Sequence, residues 1–341
     1  MGNTNAAIVT PKGNSFMVKQ IMENIYIIEV PLPDNPLRNL NSYFVKGDCR
    51  NLLIDTGFNK LECYEALTAG LEEIGAEMDQ TDIFLTHHHT DHSGLCQRIA
   101  STNSRIFVSE PDKQILLAIH DRTIIASMGQ ISRSYGLPDD VLEANQSSNP
   151  SIIYRPDGLI NYVAVDGRTV FDIGQFQLEV IPTPGHTPGH SCLYDRTQKL
   201  LFSGDHIIFD ITPNITSWVD ARDSLGDYLD SLKTIRSLDI LTTLSAHRAP
   251  VGDYTKRIDE LLAHHERRIR ETFDLVKAHP SSNAYEVASH MKWSIRADSW
   301  DAFPPAQKWF ATGEAASHLE YLYNRQMLSR TVRDGQLIYM Y

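Results

Sequence analysis

The sequence predicts an α/β protein that is followed by a smaller α+β segment. Through residue 254, short apolar runs bounded by glycine and proline alternate with longer stretches of helical spacing, which is the pattern of an α/β fold. After residue 254, three helical stretches precede a hairpin pattern. Because 341 residues exceed the usual size of one hydrophobic core, we expect two domains, 1–254 and 255–341.

The composition is that of an ordinary soluble globular protein, with 42% hydrophobic and 22% charged residues. The formal net charge is −12, and an acidic body disfavours tight non-specific binding of nucleic acid. The four cysteines lack a C-x-x-C spacing, so reduced thiols are expected. Since the N-terminal residues show no signal-peptide pattern and no apolar run reaches membrane-spanning length, we expect a cytoplasmic protein without a membrane partner.

Three apolar runs at 25–30, 41–45 and 51–55 predict strands, and the spacing of 60–74 predicts a helix. The third strand ends at Asp55. A carboxylate buried at that point would need a partner, whereas an acid in a surface turn would not. The residues alone leave both interpretations open.

One short polar stretch after a predicted strand carries four histidines and an aspartate. If the extended geometry persists for a few residues, one side of the chain carries His87, His89 and Asp91, while His88 points away. His92 lies where a helix can begin. Neutral imidazoles and a carboxylate that converge suit zinc, iron(II) or manganese, so the stretch predicts a metal site. The alternative is a solvated polar loop.

Beyond that stretch the α/β alternation continues with a short helix at 93–99 and a strand at 105–108. Residues 111–149 then change to helical runs, and an insertion of this kind beside a site often forms a lid or a pocket wall. Three residues in it could touch a substrate, namely His120, Arg122 and Tyr135, but solvated or core positions are favoured for them.

Successive strands are predicted at 159–165, 169–174 and 176–181, joined by tight glycine turns. The last of them leads into a loop in which prolines and glycines surround His186. These residues rigidify the loop and let its backbone approach another group closely, so we expect His186 to be held in place. His190, in the same loop, is expected to have a structural role.

Paired strands at 191–194 and 199–202 end close to Asp205. A carboxylate at a strand end can bridge two cations with its two oxygens. His206 follows directly and, by strand alternation, should point elsewhere.

The final candidate follows a helix predicted at 223–238 and a strand predicted at 240–244. His247 comes shortly after that strand. A single histidine in such a place would be ordinary, but this one is the last of an ordered series of histidines and aspartates.

The H-x-H-x-D-H element at 87–92 resembles the signature of the metallo-β-lactamase fold superfamily. Asp55, His186, Asp205 and His247 stand in that family's order, and the resemblance spans residues 25–253. It implies an αββα sandwich in which these side chains meet around two metal ions.

The resemblance also implies a role for each candidate residue. The ligands of one metal would be His87, His89 and His186. Those of the other would be Asp91, His92 and His247, with Asp205 bridging the two metals. Asp55 would lie beneath the site and orient a ligand, and Asp91 would also transfer a proton as the catalytic residue.

The segment after residue 254 has its own pattern. Helices are predicted at 255–278, at 282–291 with Asn283 as its cap, and from Pro304 or Pro305 to 327. A hairpin with an Asp-Gly turn is predicted at 331–339. Helices followed by a β-hairpin resemble the small winged-helix domain that is appended to some metallo-β-lactamase-fold hydrolases.

Two divalent cations about 3.5–4 Å apart can share a hydroxide that attacks a substrate at neutral pH. We therefore predict a metal-dependent hydrolase with two divalent metal ions per chain, zinc first, with iron or manganese as alternatives. Because no dedicated proton donor for the leaving group stands out, a small-molecule thioester, ester or lactone is favoured. Glyoxalase-II-like enzymes have a similar ligand set, although their C-terminal part differs from the winged helix expected here.

Other functions stay open at this point. Some family members with a similar appended domain cleave single-stranded RNA, but the basic cluster at Arg267, Arg268 and Arg270 is flanked by acids, which disfavours a nuclease. A diiron redox protein of this fold would carry glutamate in place of His89. A non-catalytic binding protein is the least favoured. The C-terminal segment could pack on the metal domain or on a second subunit, which leaves a homodimer open.

Overall fold

Two stacked β-sheets form the centre of the computed structural model, which describes residues 18–218, 221–294 and 297–341 and, for 146–148, the backbone alone. The first sheet has seven strands in chain order. They are β1 Val18–Met22, β2 Ile25–Pro31, β3 Asn39–Val45, β4 Asn51–Ile54, β5 Thr81–Phe84, β6 Ile106–Ser109 and β7 Tyr162–Val165. The pairings are antiparallel from β1 to β4 and parallel from β4 to β7.

The second sheet has five strands in the order β12-β11-β10-β9-β8. They are β8 Val170–Ile173, β9 Phe176–Pro182, β10 Ser191–Asp195, β11 Leu200–Gly204 and β12 Thr242–Ser245. Although β7 and β8 follow each other across a tight turn, they lie in different sheets. The three successive strands predicted for this region are therefore divided between the two layers, which their apolar patterns do not reveal.

Side-chain alternation along the strands explains why two layers form. In β3 and β4, Phe44 and Leu53 belong to the core between the first sheet and its helices. Their neighbours Tyr43, Val45 and Leu52 belong to the core between the two sheets. Because both faces of these strands are apolar, the first sheet must be covered on both sides.

Helices supply the two outer layers. Helix α1, Leu61–Ile74, covers the first sheet with Cys63, Leu67 and Leu71. The second sheet is covered by Leu225 and Leu232 of α8, Ser224–Arg236, and by Ile258 and Leu261 of α9, Tyr254–Ala278. The order helix, sheet, sheet, helix confirms the predicted αββα sandwich. Two short helices, α2 Thr90–Ser93 and α3 Cys96–Ile99, follow β5.

The region between β6 and β7, which includes the predicted helical insertion, contains four helices. They are α4 Glu110–His120, α5 Thr123–Ser134, α6 Asp139–Ser148 and α7 Pro150–Ile153. The insertion packs on the C-terminal segment: Val141 and Leu142 of α6 form a small cluster with Tyr285 and Trp309.

The C-terminal segment has the predicted order of elements. After α9 come α10 Ala284–His290, α11 Pro305–Asn324 and a hairpin of β13 Ser329–Arg333 and β14 Gln336–Met340. Asn283 forms a capping box with Glu286, with both bonds at 2.9 Å. Because α9 contributes to the core of the sandwich as well as to that of the C-terminal segment, the two parts share a helix. The domain limits and the winged-helix assignment stay predictions.

Candidate metal centre

Asp55 lies directly after β4 and is 1% exposed, so the surface-turn alternative does not hold. Its backbone has a φ of +59°, in the left-handed region that aspartate tolerates better than most residues. The carboxylate accepts bonds of 2.9 Å from the backbone and hydroxyl of Thr86 and one of 2.8 Å from His92 Nδ1. It thus fixes the start of the histidine stretch and the orientation of one of its rings.

Three histidine rings form the first group of candidate ligands. His89 Nδ1 lies 2.9 Å from His87 Nε2 and 3.0 Å from His186 Nε2. Residues His87 and His89 come from the end of β5, and His186 comes from the proline- and glycine-rich loop after β9. The three side chains that the sequence predicts as ligands of one metal thus lie together in the structure.

A second group consists of Asp91, His92 and His247. His92 Nε2 is 3.2 Å from His247 Nε2, and Asp91 Oδ2 is 3.4 Å from the same nitrogen of His247. Strand β3 brings His247 here, since its Asn41 N–H bonds to the Ala246 carbonyl at 2.7 Å. His247 Nδ1 in turn donates to the Asn39 carbonyl at 2.8 Å.

Asp205 lies between the two groups. Its Oδ1 is 3.3 Å from His247 Nε2 and 3.5 Å from His92 Nε2, and its Oδ2 is 3.5 Å from His186 Nε2. The side chain is 7% exposed, and Oδ1 is buried without any hydrogen-bond donor in the described protein. A buried carboxylate oxygen without a donor needs a cation nearby.

The ring protons give a second test of whether a metal fits. His92 and His247 each use the Nδ1 proton in a bond to an oxygen, so in the neutral rings both Nε2 atoms carry lone pairs that face each other at 3.2 Å. His186 is arranged in the same way, because its Nδ1 donates to the Asn214 carbonyl at 2.9 Å. Converging lone pairs and an unpaired carboxylate oxygen are what a divalent cation requires.

Electrostatics point the same way. Burial lowers the pKa of His87 and His89 well below the usual range, so both rings are neutral and available as ligands. Burial also opposes the charged form of His92, yet Asp55 and Asp205 raise its pKa well above the usual value. The carboxylates thus draw positive charge into the centre, and the described residues can bind a metal in three overlapping groups.

Comparison with known proteins agrees with this geometry. The family model of the metallo-beta-lactamase superfamily matches residues 36–247, a range that includes Asp55 and all seven candidate ligands. The chain belongs to the metallo-beta-lactamase superfamily.

Individual relatives are similar to this chain over longer stretches than the family model covers. The Beta-lactamase-like protein 2 homolog of Caenorhabditis elegans is 26% identical over 265 residues, 76% of this chain and 74% of that protein. The Lactamase-like protein adaB of Aspergillus niger is 26% identical over 74% of this chain, which spans 64% of that relative's length. The Probable metallo-hydrolase YqjP of Bacillus subtilis is 22% identical over 330 residues, 93% of this chain and 97% of that protein.

Two solved structures have the same fold along nearly the whole chain. The metallo-beta-lactamase family protein TTHA1429 from Thermus thermophilus has a TM-score of 0.79 and 25% identity, over 94% of this chain and 99% of its own. A Beta-lactamase domain protein from Burkholderia ambifaria has a TM-score of 0.77 and 21% identity, over 95% and 93%. Because both matches cover at least 94% of this chain, they include elements of the C-terminal segment. As a member of the superfamily, the chain is a metal-dependent hydrolase.

The sequence did not predict the role of Asp112 in holding this superfamily's ligand loops together. This fully buried residue of α4 accepts bonds from His88 N at 2.9 Å, Thr187 Oγ1 at 2.7 Å and Gly189 N at 2.7 Å. A Cβ on Gly189 would lie 2.0 Å from Oγ of Ser109, which caps α4, so only glycine allows this approach. Asp112 therefore joins the loop of His87 and His89 to the loop of His186.

Two histidines lie next to the centre without joining it. His190 Nε2 accepts the backbone N–H of Asp205 at 3.1 Å, which agrees with the structural role predicted for it. His206 is fully buried, packs against Tyr228 and is absent from the three ligand groups found among the described residues. It points elsewhere, as strand alternation predicts.

A segment that we call the strap, residues 207–218, borders the centre. Besides Asn214, it contributes Trp218, whose ring centroid lies 6.0 Å from that of His89 and whose Nε1 donates to the His186 carbonyl at 3.2 Å. His89 is the most accessible of the three-histidine group, so the strap lies beside the open side of the centre.

The three insertion residues that could touch a substrate have different positions. His120 and Arg122 are exposed. Tyr135 is buried, and its hydroxyl bonds to Ser217 Oγ of the strap at 2.6 Å. Of the three, Tyr135 alone is linked to the border of the centre by these contacts. In the described ranges 18–218, 221–294 and 297–341, the helices are too short or too polar to cross a bilayer.

Proposed function

We propose that the chain is a dinuclear metal-dependent hydrolase that acts on small-molecule thioesters, esters or lactones. The observation that supports two metal positions is the placement of Asp205, whose two oxygens face different ligand groups. Oδ1 faces His92 and His247, and Oδ2 faces His186. A single carboxylate can therefore serve both positions.

The donor set consists of imidazole nitrogens and carboxylate oxygens, which suit zinc first and iron or manganese as alternatives. One position would be held by His87, His89 and His186. The other would be held by Asp91, His92 and His247, with Asp205 shared. When bound, the metal ions supply an acidified water for the attack and polarise the substrate oxygen.

The residues around the ligands determine which ring nitrogen is free. Asp55, Asn39 and Asn214 accept the Nδ1 protons of His92, His247 and His186, so each ring presents Nε2 to the centre. Loss of one of these acceptors would allow the other tautomer and turn a proton toward the ligand position.

Asp91 is the group proposed to accept and return a proton. Its side chain is 12% exposed, against 0% for His92 and His247, so a substrate can reach it. Burial alone would raise the pKa of Asp91, but His92 and His247 hold it below its usual range. The carboxylate is therefore ionised at neutral pH and can accept a proton.

Acyl substrates are favoured over nucleic acid because the predicted basic cluster is largely neutralised. Arg268 is buried and paired with Glu314 at 3.1 Å and Glu271 at 2.6 Å. Arg270 is paired with Glu266. Guanidinium groups that already have carboxylate partners contribute little to phosphate binding.

The test is a hydrolysis panel on the metal-loaded full chain. It compares a thioester, an oxygen ester, a lactone, a phosphodiester, single-stranded RNA and a β-lactam, with Asp205→Asn as the control for metal-dependent turnover. We expect acyl hydrolysis that is lost in the control. Cleavage of RNA or the phosphodiester without any acyl hydrolysis would show that the chain is a phosphodiesterase instead.

A further inference from the structure

The five candidate imidazole ligands differ in what holds their rings. Four of them form a hydrogen bond through the ring nitrogen that faces away from the centre. These bonds measure 2.8 Å from His92 to Asp55, 2.8 Å from His247 to the Asn39 carbonyl, 2.9 Å from His186 to the Asn214 carbonyl and 3.0 Å between His87 and Thr86 Oγ1. Within residues 18–218, 221–294 and 297–341, Nε2 of His89 has no such partner. The question is what orients this one ring.

The orientation of His89 matters because this ring presents Nδ1 to the centre, whereas the other four present Nε2. Its Nδ1 lies 2.9 Å from His87 Nε2 and 3.0 Å from His186 Nε2. A half-turn about the bond between Cβ and the ring would replace Nδ1 by a carbon, which cannot bind a metal. Since that torsion has only a broad, two-fold preference, the side chain alone does not select the productive orientation. A packed neighbour has to select it.

Trp218, at the end of the strap, is such a neighbour. Its ring centroid lies 6.0 Å from that of His89, with the two planes 38° apart. The same indole meets the ring of His88 edge to face, at 4.9 Å and 84°. Its Nε1 donates to the His186 carbonyl at 3.2 Å, which fixes the indole relative to the second ligand loop. One side chain thus touches both loops that carry the three-histidine group.

The surroundings of Trp218 differ from those of the other three tryptophans. Trp293 and Trp300 pack against the hydrophobic cluster of the C-terminal segment, and Trp309 packs against the small cluster of Val141 and Leu142. Trp218 is only 8% exposed, yet it belongs to none of the five hydrophobic clusters in the described part of the chain. Its large ring is buried against imidazoles, so filling an apolar core does not account for its position.

We propose that Trp218 is the positioning residue of His89. Its ring restricts rotation of the His89 imidazole and keeps Nδ1 directed at the other two histidines, a task that hydrogen bonds perform for the remaining ligand rings. The strap therefore controls the first metal position at two points, through Asn214 on His186 and through Trp218 on His89. The inference rests on the proposed function, because it concerns one of the two metal positions proposed there.

The main experiment measures zinc affinity at the two positions of the full chain by competition with a chelator. Trp218→Leu removes the ring, so affinity at the three-histidine position should fall about tenfold, and affinity at the position of His92 and His247 by less than about threefold. Trp218→Phe keeps an aromatic ring beside His89 but loses the N–H donor to the His186 carbonyl. If the ring positions His89, this conservative variant should keep the affinity of the first position within about threefold of the unchanged protein.

Trp293→Leu is the matched control. Trp293 is also partly buried, and its indole Nε1 donates to a backbone carbonyl, that of Ala288 at 2.8 Å. Its loss should leave both zinc affinities unchanged. A spectroscopic measurement adds a second readout: in the Co²⁺-loaded chain, the paramagnetic ion shifts the N–H protons of the ligand rings out of the main proton spectrum. Trp218→Leu should remove or split the N–H signal of His89, while those of His92 and His247 stay in place.

The outcomes separate this inference from the proposed function, because no measurement here uses turnover. Equal losses of affinity at both positions in Trp218→Leu would reduce Trp218 to a general stabilising role and overturn the inference. An equally large loss in Trp218→Phe would overturn it as well, since the hydrogen bond rather than the ring would then be responsible. So would an unchanged protein that binds no zinc at the three-histidine position. Normal zinc binding without acyl hydrolysis would count against the proposed substrates alone.

Discussion

Ser317 of α11 donates a hydrogen bond of 2.7 Å to the carbonyl oxygen of Ile215 in the strap. The neighbouring residue Asn214 uses its own carbonyl to hold the Nδ1 proton of His186. Arg257 of α9 adds bonds of 2.7 Å to the carbonyls of Ile208 and Ile211. The C-terminal helices therefore hold the segment that orients one of the candidate ligands.

The first prediction concerns this link. Ser317→Ala leaves the buried Ile215 carbonyl without its donor, so the free energy of unfolding should fall by about 1–3 kcal/mol. The strap then loses a hydrogen bond next to Asn214, so metal affinity at the position of His186 should fall about tenfold. Metal affinity at the position of His92 and His247 should fall less. Metal competition with a chelator measures both affinities.

Ser289→Ala is the control for that substitution. Ser289 is a half-buried serine of α10 whose hydroxyl also bonds to a backbone carbonyl, that of Glu286 at 2.7 Å. It should leave both metal affinities unchanged. Equal losses in the two variants would show that the bond from Ser317 to the strap does not reach the metal centre.

The second prediction concerns Asp112, which accepts three bonds from the two ligand loops. Asp112→Asn keeps the shape of the side chain but turns an amide N–H toward donors that need an acceptor. The free energy of unfolding should therefore fall by about 3 kcal/mol. The three-histidine group should bind metal more weakly, because its two loops lose their common partner. Denaturant unfolding and chelator competition test both statements, with the exposed Asp140→Asn as control. Unchanged metal affinity despite lower stability would limit Asp112 to a folding role.

The candidate ligands could be predicted from the sequence because each stands at the end of a strand or in a short motif with local spacing. His87, His89 and His92 lie within six residues, and Asp205 follows β11 directly. The contacts of Asp112 could not be predicted in this way. Its partners lie 24, 75 and 77 residues away, and nothing in its own neighbourhood distinguishes it from a surface acid on a helix.

The assignment of strands to sheets was also beyond sequence patterns. Strands β7 and β8 are both short and apolar, and the tight turn between them suggests a hairpin. Each instead pairs with a different neighbour, β7 with β6 and β8 with β9. The choice depends on which sheet edge is free, and that is a property of the whole sandwich.

The third prediction concerns metal stoichiometry. Two ligand groups that share Asp205 should bind two divalent ions per chain, as measured by elemental analysis after metal loading. His247→Ala should reduce the ratio toward one by weakening mainly the second position, whereas Asp205→Asn should weaken both because the shared negative charge is lost. A ratio of one at full loading that His247→Ala leaves unchanged would contradict the two-metal proposal.

The fourth prediction concerns acid stability and the buried histidines that join α9 to α11. His265 and His318 are stacked with ring centroids 5.5 Å apart, and His318 Nδ1 donates to the Glu314 carbonyl at 2.7 Å. Burial lowers the pKa of His318 to about 3 and, aided by the charge of His318 itself, that of His265 well below the usual range. Arg268 beside them further opposes protonation.

The direction in which stability changes with pH depends on whether the folded or the unfolded chain binds more protons. Above about pH 6.5 both rings are neutral in the folded and unfolded chain, so they add no pH dependence. As pH falls below that value, the unfolded chain binds protons that the folded chain excludes, and stability decreases by about 2 kcal/mol per ring between pH 6.5 and pH 5. His318→Asn, whose amide can replace the Nδ1 donor, should reduce the loss of stability over this interval by about that amount.

Urea unfolding of the metal-loaded protein at several pH values measures this loss of stability, and the exposed His120→Asn should behave like the unchanged protein. If His318→Asn retained the full acid sensitivity, protonation of other buried groups would account for it, and His318 would have to be accessible to protons in the folded chain.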